Sequence, residues 1–189
     1  MTSEVIKQSE IVFKKRKIEL GDCNILENNC YICLSDINKK IELCINMFNT
    51  IVQDVSSLLS REFPNDVILK TYYGVVANVI LKNPLEPISS FIINVYSNDT
   101  YRKCIMNGDD KFFLSNSYNI STTNDKLQMI YQLKLCWKKL SPDNRQYIKN
   151  AMSMLLEVTK QYIEKKDDGN KLTDIIEKIV FVKKNMVVI

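Results

Sequence analysis

The sequence contains no histidine. Every mechanism that needs an imidazole as acid, base, proton shuttle or metal ligand is therefore excluded. Glycine is nearly as scarce. The four are Gly21, Gly74, Gly108 and Gly169, and none stands in a cluster. A P-loop and a dinucleotide fingerprint both need glycines at close, fixed spacing, so neither is present. Arginine numbers four against 22 lysines, and arginine is the side chain suited to forked recognition of phosphates and base edges. No run approaches the ~18 uninterrupted apolar residues of a membrane span. Residues 1–20 carry Glu4, Lys7, Glu10 and a basic run in place of the apolar core of a secretory signal.

What is present is enough for a sizeable core. The 189 residues are 46% hydrophobic and 25% charged, which fits one soluble domain with tails. The net charge of +4 is unevenly spread. Residues 123–189 hold 13 basic and 8 acidic side chains, whereas residues 1–122 sum to −1. That excess is modest for a nucleic-acid binder. Isoleucine, lysine and asparagine together supply 64 residues, and alanine occurs only at Ala77 and Ala151. Alanine is the best helix former, so helix physics does not explain its absence. Codon bias in an AT-rich genome does.

Apolar periodicity predicts an all-α fold, a compact bundle of about six to seven helices. Residues 1–34 lack a sustained period and read as an N-terminal arm with a cysteine-containing loop, turning at Gly21-Asp22. The helical domain is expected over 35–166. Ser35 or Asp36 caps a first helix with Ile37, Ile41, Cys44, Phe48, Val52 and Val55 on one stripe. Phe63-Pro64-Asn65-Asp66 breaks and restarts the chain, and Asn83-Pro84 ends the next helix. Pro87 opens a third, Asn98-Asp99 caps a fourth, and Gly108 stops it. Residues 115–124 are polar and loop-like. A helix follows from Asn124 or Asp125 through Trp137, and Ser141-Pro142-Asp143 starts the last long one. Lys165 to Lys171, with Gly169, reads as a charged linker. Residues 167–189 thus form a linker and a C-terminal extension of ambiguous structure.

Cys23, Cys30, Cys33 and Cys44 are the candidate metal ligands. Without histidine, a zinc site would need four thiolates, and the Cys30-x-x-Cys33 spacing suits two of them. The alternative is that all are small buried apolar residues, as free cysteine usually is. No secretory signal is evident, so all six cysteines are expected reduced. The basic run Lys14, Lys15, Arg16 and Lys17 matches a nuclear-import signal or a basic arm that touches nucleic acid. Lys138 and Lys139, near Lys134, Arg145 and Lys149, offer a second basic patch; a helix C-terminus alone also favours cations there. Asp143 followed by Glu164-Lys165-Lys166 superficially matches a metal-dependent nuclease. That chemistry needs neighbouring strands, and both segments are helical. No cofactor is implied beyond that zinc candidate.

The segments PISSFIINVYSNDTYRKCI, NGDDKFFLSNSY and LKLCWKKLSPDNRQYIKNAMSMLLEVTKQY, over about residues 84–162, resemble short, mostly uncharacterised helical proteins of AT-rich giant DNA viruses of the mimivirus type. The shared features are a proline-led helix, a Gly-Asp-Asp-x-Phe-Phe turn and a tryptophan-containing helix pair. These are packing and capping features, and none carries a catalytic role. The resemblance implies a viral, non-enzymatic helical protein of the virion or viral factory in the host cytoplasm. The tail Ile179, Val180, Phe181, Val182 through Val187, Val188 and Ile189 is apolar around two lysines and is the candidate partner-binding segment, for another protein or a second copy; the alternative is that it folds back onto its own domain. The alternatives are a nucleic-acid-associated protein using the two basic clusters and a Bcl-2-like viral decoy that binds a partner helix.

Overall fold

A computed structural model describes residues 1–14, 19–114 and 134–186. Regular structure among them is entirely helical, with no strand, as the apolar periodicity predicts. The helices are α1 (Thr2–Lys14), α2 (Leu20–Glu62), α3 (Val67–Lys82), α4 (Glu86–Phe91), α5 (Asp99–Met106), α6 (Lys111–Leu114), α7 (described over 134–139) and α8 (Pro142–Met186). A π-helical turn, Ile92–Tyr96, continues α4. No described helix is long and apolar enough to cross a membrane.

Local signals set the short boundaries. The Asp66 carboxylate accepts the Leu69 N–H at 3.1 Å, and the Asn98 side-chain amide oxygen accepts the Tyr101 N–H at 3.2 Å. Each satisfies an orphan donor of a first turn. Pro87 lies in the first turn of α4. The Ser141 hydroxyl accepts the Asn144 N–H at 3.2 Å. Gly108 ends α5 with φ 62, a conformation that penalises any side chain.

The chain divides into two compact units. Unit 1 comprises 1–43 and 161–189; unit 2 comprises 44–160. In unit 2, one cluster joins Leu58 and Leu59 of α2, Leu69 of α3, Cys136 and Trp137 of α7, Leu140, and Ile148 of α8. A second gathers Ile105, Phe112 and Leu156. A line of rings connects them. Tyr101 meets Phe112 edge-on at 5.6 Å, Phe112 meets Phe113 edge-on at 5.0 Å, and Phe113 stacks on Trp137 at 3.9 Å. Offset and edge-on geometries are the ones the ring quadrupole favours. Lys149 Nζ lies 2.7 Å from Asp110 Oδ1, tying α8 to the turn before α6.

Unit 1 departs from the expected arm and tail. Residues 2–14 are helix α1, and α2 begins at Leu20, so Gly21-Asp22 lies in its first turn and Ser35 and Asp36 lie in its interior. The reason is a seam. Cys23, Leu26, Cys30, Cys33 and Ile37 are all at most 3% exposed and recur in steps of three and four, the spacing of a helix that packs along its length on another. Cysteine occupies the apolar positions, so the stripe is hard to see when cysteine is read as a ligand. Likewise, 165–171 is no linker. α8 passes through it unbroken to Met186. Its charges pair along the helix surface, Lys171 with Asp167 at 2.8 Å and Lys165 with Asp168 at 3.4 Å. Gly169 itself is buried against α2, where an added Cβ would meet Ile37 Cγ2 at 3.5 Å and Leu34 Cδ1 at 3.8 Å. Leu172, Ile175, Ile176 and Ile179 complete this core together with Val5 of α1. Across it, Lys183 Nζ reaches Glu27 Oε2 at 2.6 Å, with both side chains mostly covered.

Candidate functional site

The four cysteines do not assemble a metal site. All lie on α2, with Cys23, Cys30 and Cys33 in unit 1 and Cys44 in unit 2. Cys23, Cys30 and Cys33 face the unit 1 core. Among the described residues no group of three or more cysteine, aspartate or glutamate side chains could hold a metal ion. Burial also makes these thiols poor nucleophiles. It pushes Cys30 up to about 11, with the neighbouring Cys33 and Glu27 adding to the rise, and it raises Cys23 and Cys136 as well.

The basic clusters yield little more. Lys14 is exposed in the last turn of α1, where the helix dipole favours a cation. Lys15, Arg16 and Lys17 lie outside the described residues. Lys138 and Lys139 are exposed at the end of α7. Their neighbours serve the fold. The Arg145 guanidinium donates to the carbonyls of Leu140 at 3.1 Å and Lys138 at 3.0 Å, capping the C-terminal end of α7, and Lys149 is held by Asp110. The superficial nuclease pattern falls on one helix, α8, as expected from its periodicity.

The described part of the expected partner-binding tail, residues 179–182, packs largely on its own unit. Ile179 is fully buried, and Val180 and Val182 pack against the same cluster. These three residues serve their own unit. Val180 and Val182 are only partly covered there, and Val182 also lines a cavity at the surface of the unit. Phe181 is the exception, at 68% exposed. Val187, Val188 and Ile189 lie outside the described residues.

Phe181 does not stand alone. It lines one of two adjoining cavities between α1 and the C-terminal part of α8 in unit 1. The larger, about 750 Å³, is bordered by Ile6, Ser9 and Phe13 of α1 and by Asp168, Lys171 and Ile175 of α8, among others. The smaller, about 400 Å³, is bordered by Phe13, Asp174, Glu177, Lys178, Phe181 and Val182. Phe13, Asp174 and Lys178 border both, so the two read as one open groove. Its apolar lining is Ile6, Phe13, Ile175, Phe181 and Val182, set among polar and charged side chains. Its rims are charged, and part of that charge is spent internally. Lys178 pairs with Asp174 at 3.3 Å. The Asp167 carboxylate beside Lys171 accepts a hydrogen bond from its ammonium and raises its pKa. Lys7 and Glu10 on the α1 rim and Glu177 on the α8 rim are exposed.

The groove was hidden in the sequence because 1–34 lacks an obvious stripe. A signal was nevertheless there. Val5, Ser9 and Val12 are spaced by four and three, and Ile6 and Phe13 by seven, as one helix face requires. The interruption is Ser9, which is 1% exposed and satisfies its hydroxyl by donating to the Ile6 carbonyl at 2.6 Å. No known protein family, curated protein or solved structure matches this chain.

Proposed function

We propose that this chain is a non-enzymatic interaction protein whose unit 1 groove receives an amphipathic helix of a protein partner. The observation that carries the proposal is the apolar lining contributed by Ile6 and Phe13 of α1 and by Ile175, Val182 and an exposed Phe181 of α8, with charged side chains of both helices around it. Grooves of this make-up bind helices through anchors spaced by three, four and seven residues. From Thr2 to Phe13, α1 offers about 17 Å of rim at ~1.5 Å per residue, which matches three turns of a bound helix. Lys7 and Glu10 on one side and Glu177 on the other favour a partner that flanks its apolar stripe with charges of both signs. The non-enzymatic part of the proposal is supported by the lack of histidine and by thiols held protonated through burial. The resemblance over residues 84–162 extends it to a viral virion or factory component, and a decoy that captures a host helix is one form such a component takes.

The test is selection of displayed helical peptides on the full-length protein, followed by fluorescence anisotropy with the synthetic winners. Peptides with apolar anchors at helical spacing are expected, and Phe181→Asp should weaken them at least about tenfold, equivalent to ~1.4 kcal/mol. Phe181 is exposed, so this variant should keep its helical circular dichroism. Binding indifferent to Phe181→Asp, or winners with no helical anchor pattern, would overturn the groove assignment.

A further inference from the structure

Helix α2 has a second apolar stripe, on the side away from its core seam. Ile32 and Leu43 are each 58% exposed, and Ile25, two turns before Ile32, is 66% exposed. Asp36 and Lys39 sit between Ile32 and Leu43 on the same face, because steps of four, three and four residues return to nearly one helix direction. The whole set lies within unit 1.

The order along this face is apolar, acidic, basic, apolar. Read in reverse it is apolar, basic, acidic, apolar. We infer that the face is self-complementary and that its occupant is a second copy of this chain, with the two α2 helices antiparallel about a two-fold axis between positions 36 and 39. In that arrangement each Asp36 meets Lys39 of the second copy, and each Ile32 meets Leu43 of the second copy. A two-fold interface requires such reciprocity, since one patch must complement itself. A parallel pairing would set Asp36 against Asp36 and Lys39 against Lys39, which electrostatics rejects. Both charged side chains are available for the task. Within one copy, Lys39 Nζ is 3.8 Å from Asp36 Oδ1, and the two side chains are 75% and 51% exposed. An exposed pair at that distance contributes little to its own helix.

The contact is short. Ile32 to Leu43 spans about 16 Å of helix at ~1.5 Å per residue, so the interface belongs to the small class, under ~1,200 Å², typical of reversible association. The stripe shares no residue with the groove, so the two assignments stand or fall separately.

Sedimentation velocity of the full chain from about 5 to 500 µM tests it. The 22.0 kDa monomer should give way to a species of twice that mass as concentration rises. Asp36→Lys sets lysine against lysine and should weaken dimerisation at least about tenfold, and Lys39→Asp should do the same. The double swap, Asp36→Lys with Lys39→Asp, restores the palindrome and should return the affinity to within about threefold of the wild type. All three variants change only the exposed positions 36 and 39, and circular dichroism checks that the helices persist. A monomer throughout the range, a dimer insensitive to Asp36→Lys, or a double swap that fails to rescue would each overturn the inference. Phe181→Asp is expected to leave the dimer unchanged, which separates this face from the groove.

Discussion

Gly169→Ala should make the protein more stable, and the size of the gain reports how α2 and α8 meet. Glycine in a helix interior is about 0.8–1 kcal/mol worse than alanine. The new Cβ would lie 3.5 Å from Ile37 Cγ2 and 3.8 Å from Leu34 Cδ1, ordinary contact distances that add apolar burial without a clash. A buried methyl contributes up to ~0.8 kcal/mol. The expected gain is therefore about 1–2 kcal/mol, or roughly 3–6 °C in Tm for a chain of this length unfolding in one transition. Gly74 is the control. It lies in α3, and a Cβ added there would have nothing within 4 Å, so Gly74→Ala should gain only the propensity part, about 0.8–1 kcal/mol. Calorimetry and urea unfolding of the wild type and both variants decide the matter. A Gly169→Ala variant less stable than the wild type, beside a stabilised Gly74→Ala, would refute the packing described for the α2–α8 contact. An unchanged Tm would mean that residue 169 is a flexible joint after all.

Two further outcomes follow from the same core. Ile179→Ala should cost about 2–5 kcal/mol, the range for emptying a fully buried aliphatic site, and urea unfolding would show it; a loss under ~1 kcal/mol would return the C-terminal segment to the role of a detachable tail. The thiols set a pH limit. Cys30 is raised to about 11 from an ordinary 9, so between these values the unfolded chain releases its proton while the folded one retains it. Stability is fully present below pH 9 and declines as pH rises from 9 toward 11. At pH 8 a thiol reagent should modify the half-buried Cys104 first and reach Cys23, Cys30, Cys33 and Cys136 only on unfolding; early labelling of Cys30 in the folded protein would contradict its burial.

The sequence was most legible where a single residue decides a boundary. Asp66, Pro87, Asn98, Gly108 and Ser141 each act through their own backbone or cap, and each stands where it was expected. It was least legible where the decision is tertiary. The seam of α2 uses three cysteines, so residues with ligand chemistry masked an apolar repeat. The charged stretch at 165–171 looks like a linker because its exposed side hides one buried position, and that position is the side-chain-free Gly169. Phe181 is as apolar as its neighbours Val180 and Val182, and only the turn of the helix separates its exposed ring from those two half-buried side chains. The groove follows from that turn together with α1, whose stripe is interrupted by Ser9.

Unit 1 is assembled from both ends of the chain, and its Lys183–Glu27 ion pair joins residues 156 positions apart. On a ribosome this has a temporal meaning. Residues 44–160 emerge as one continuous stretch and can begin to pack while synthesis proceeds, whereas α1 and the first half of α2 must wait for residues 161–189. Until then the cysteine-rich face of α2 is open to water, to oxidants and to other nascent chains. Closing so long a loop is slow compared with forming the local helices. The interval before closure is when this protein is most exposed to thiol oxidation and to pairing with the wrong copy of itself.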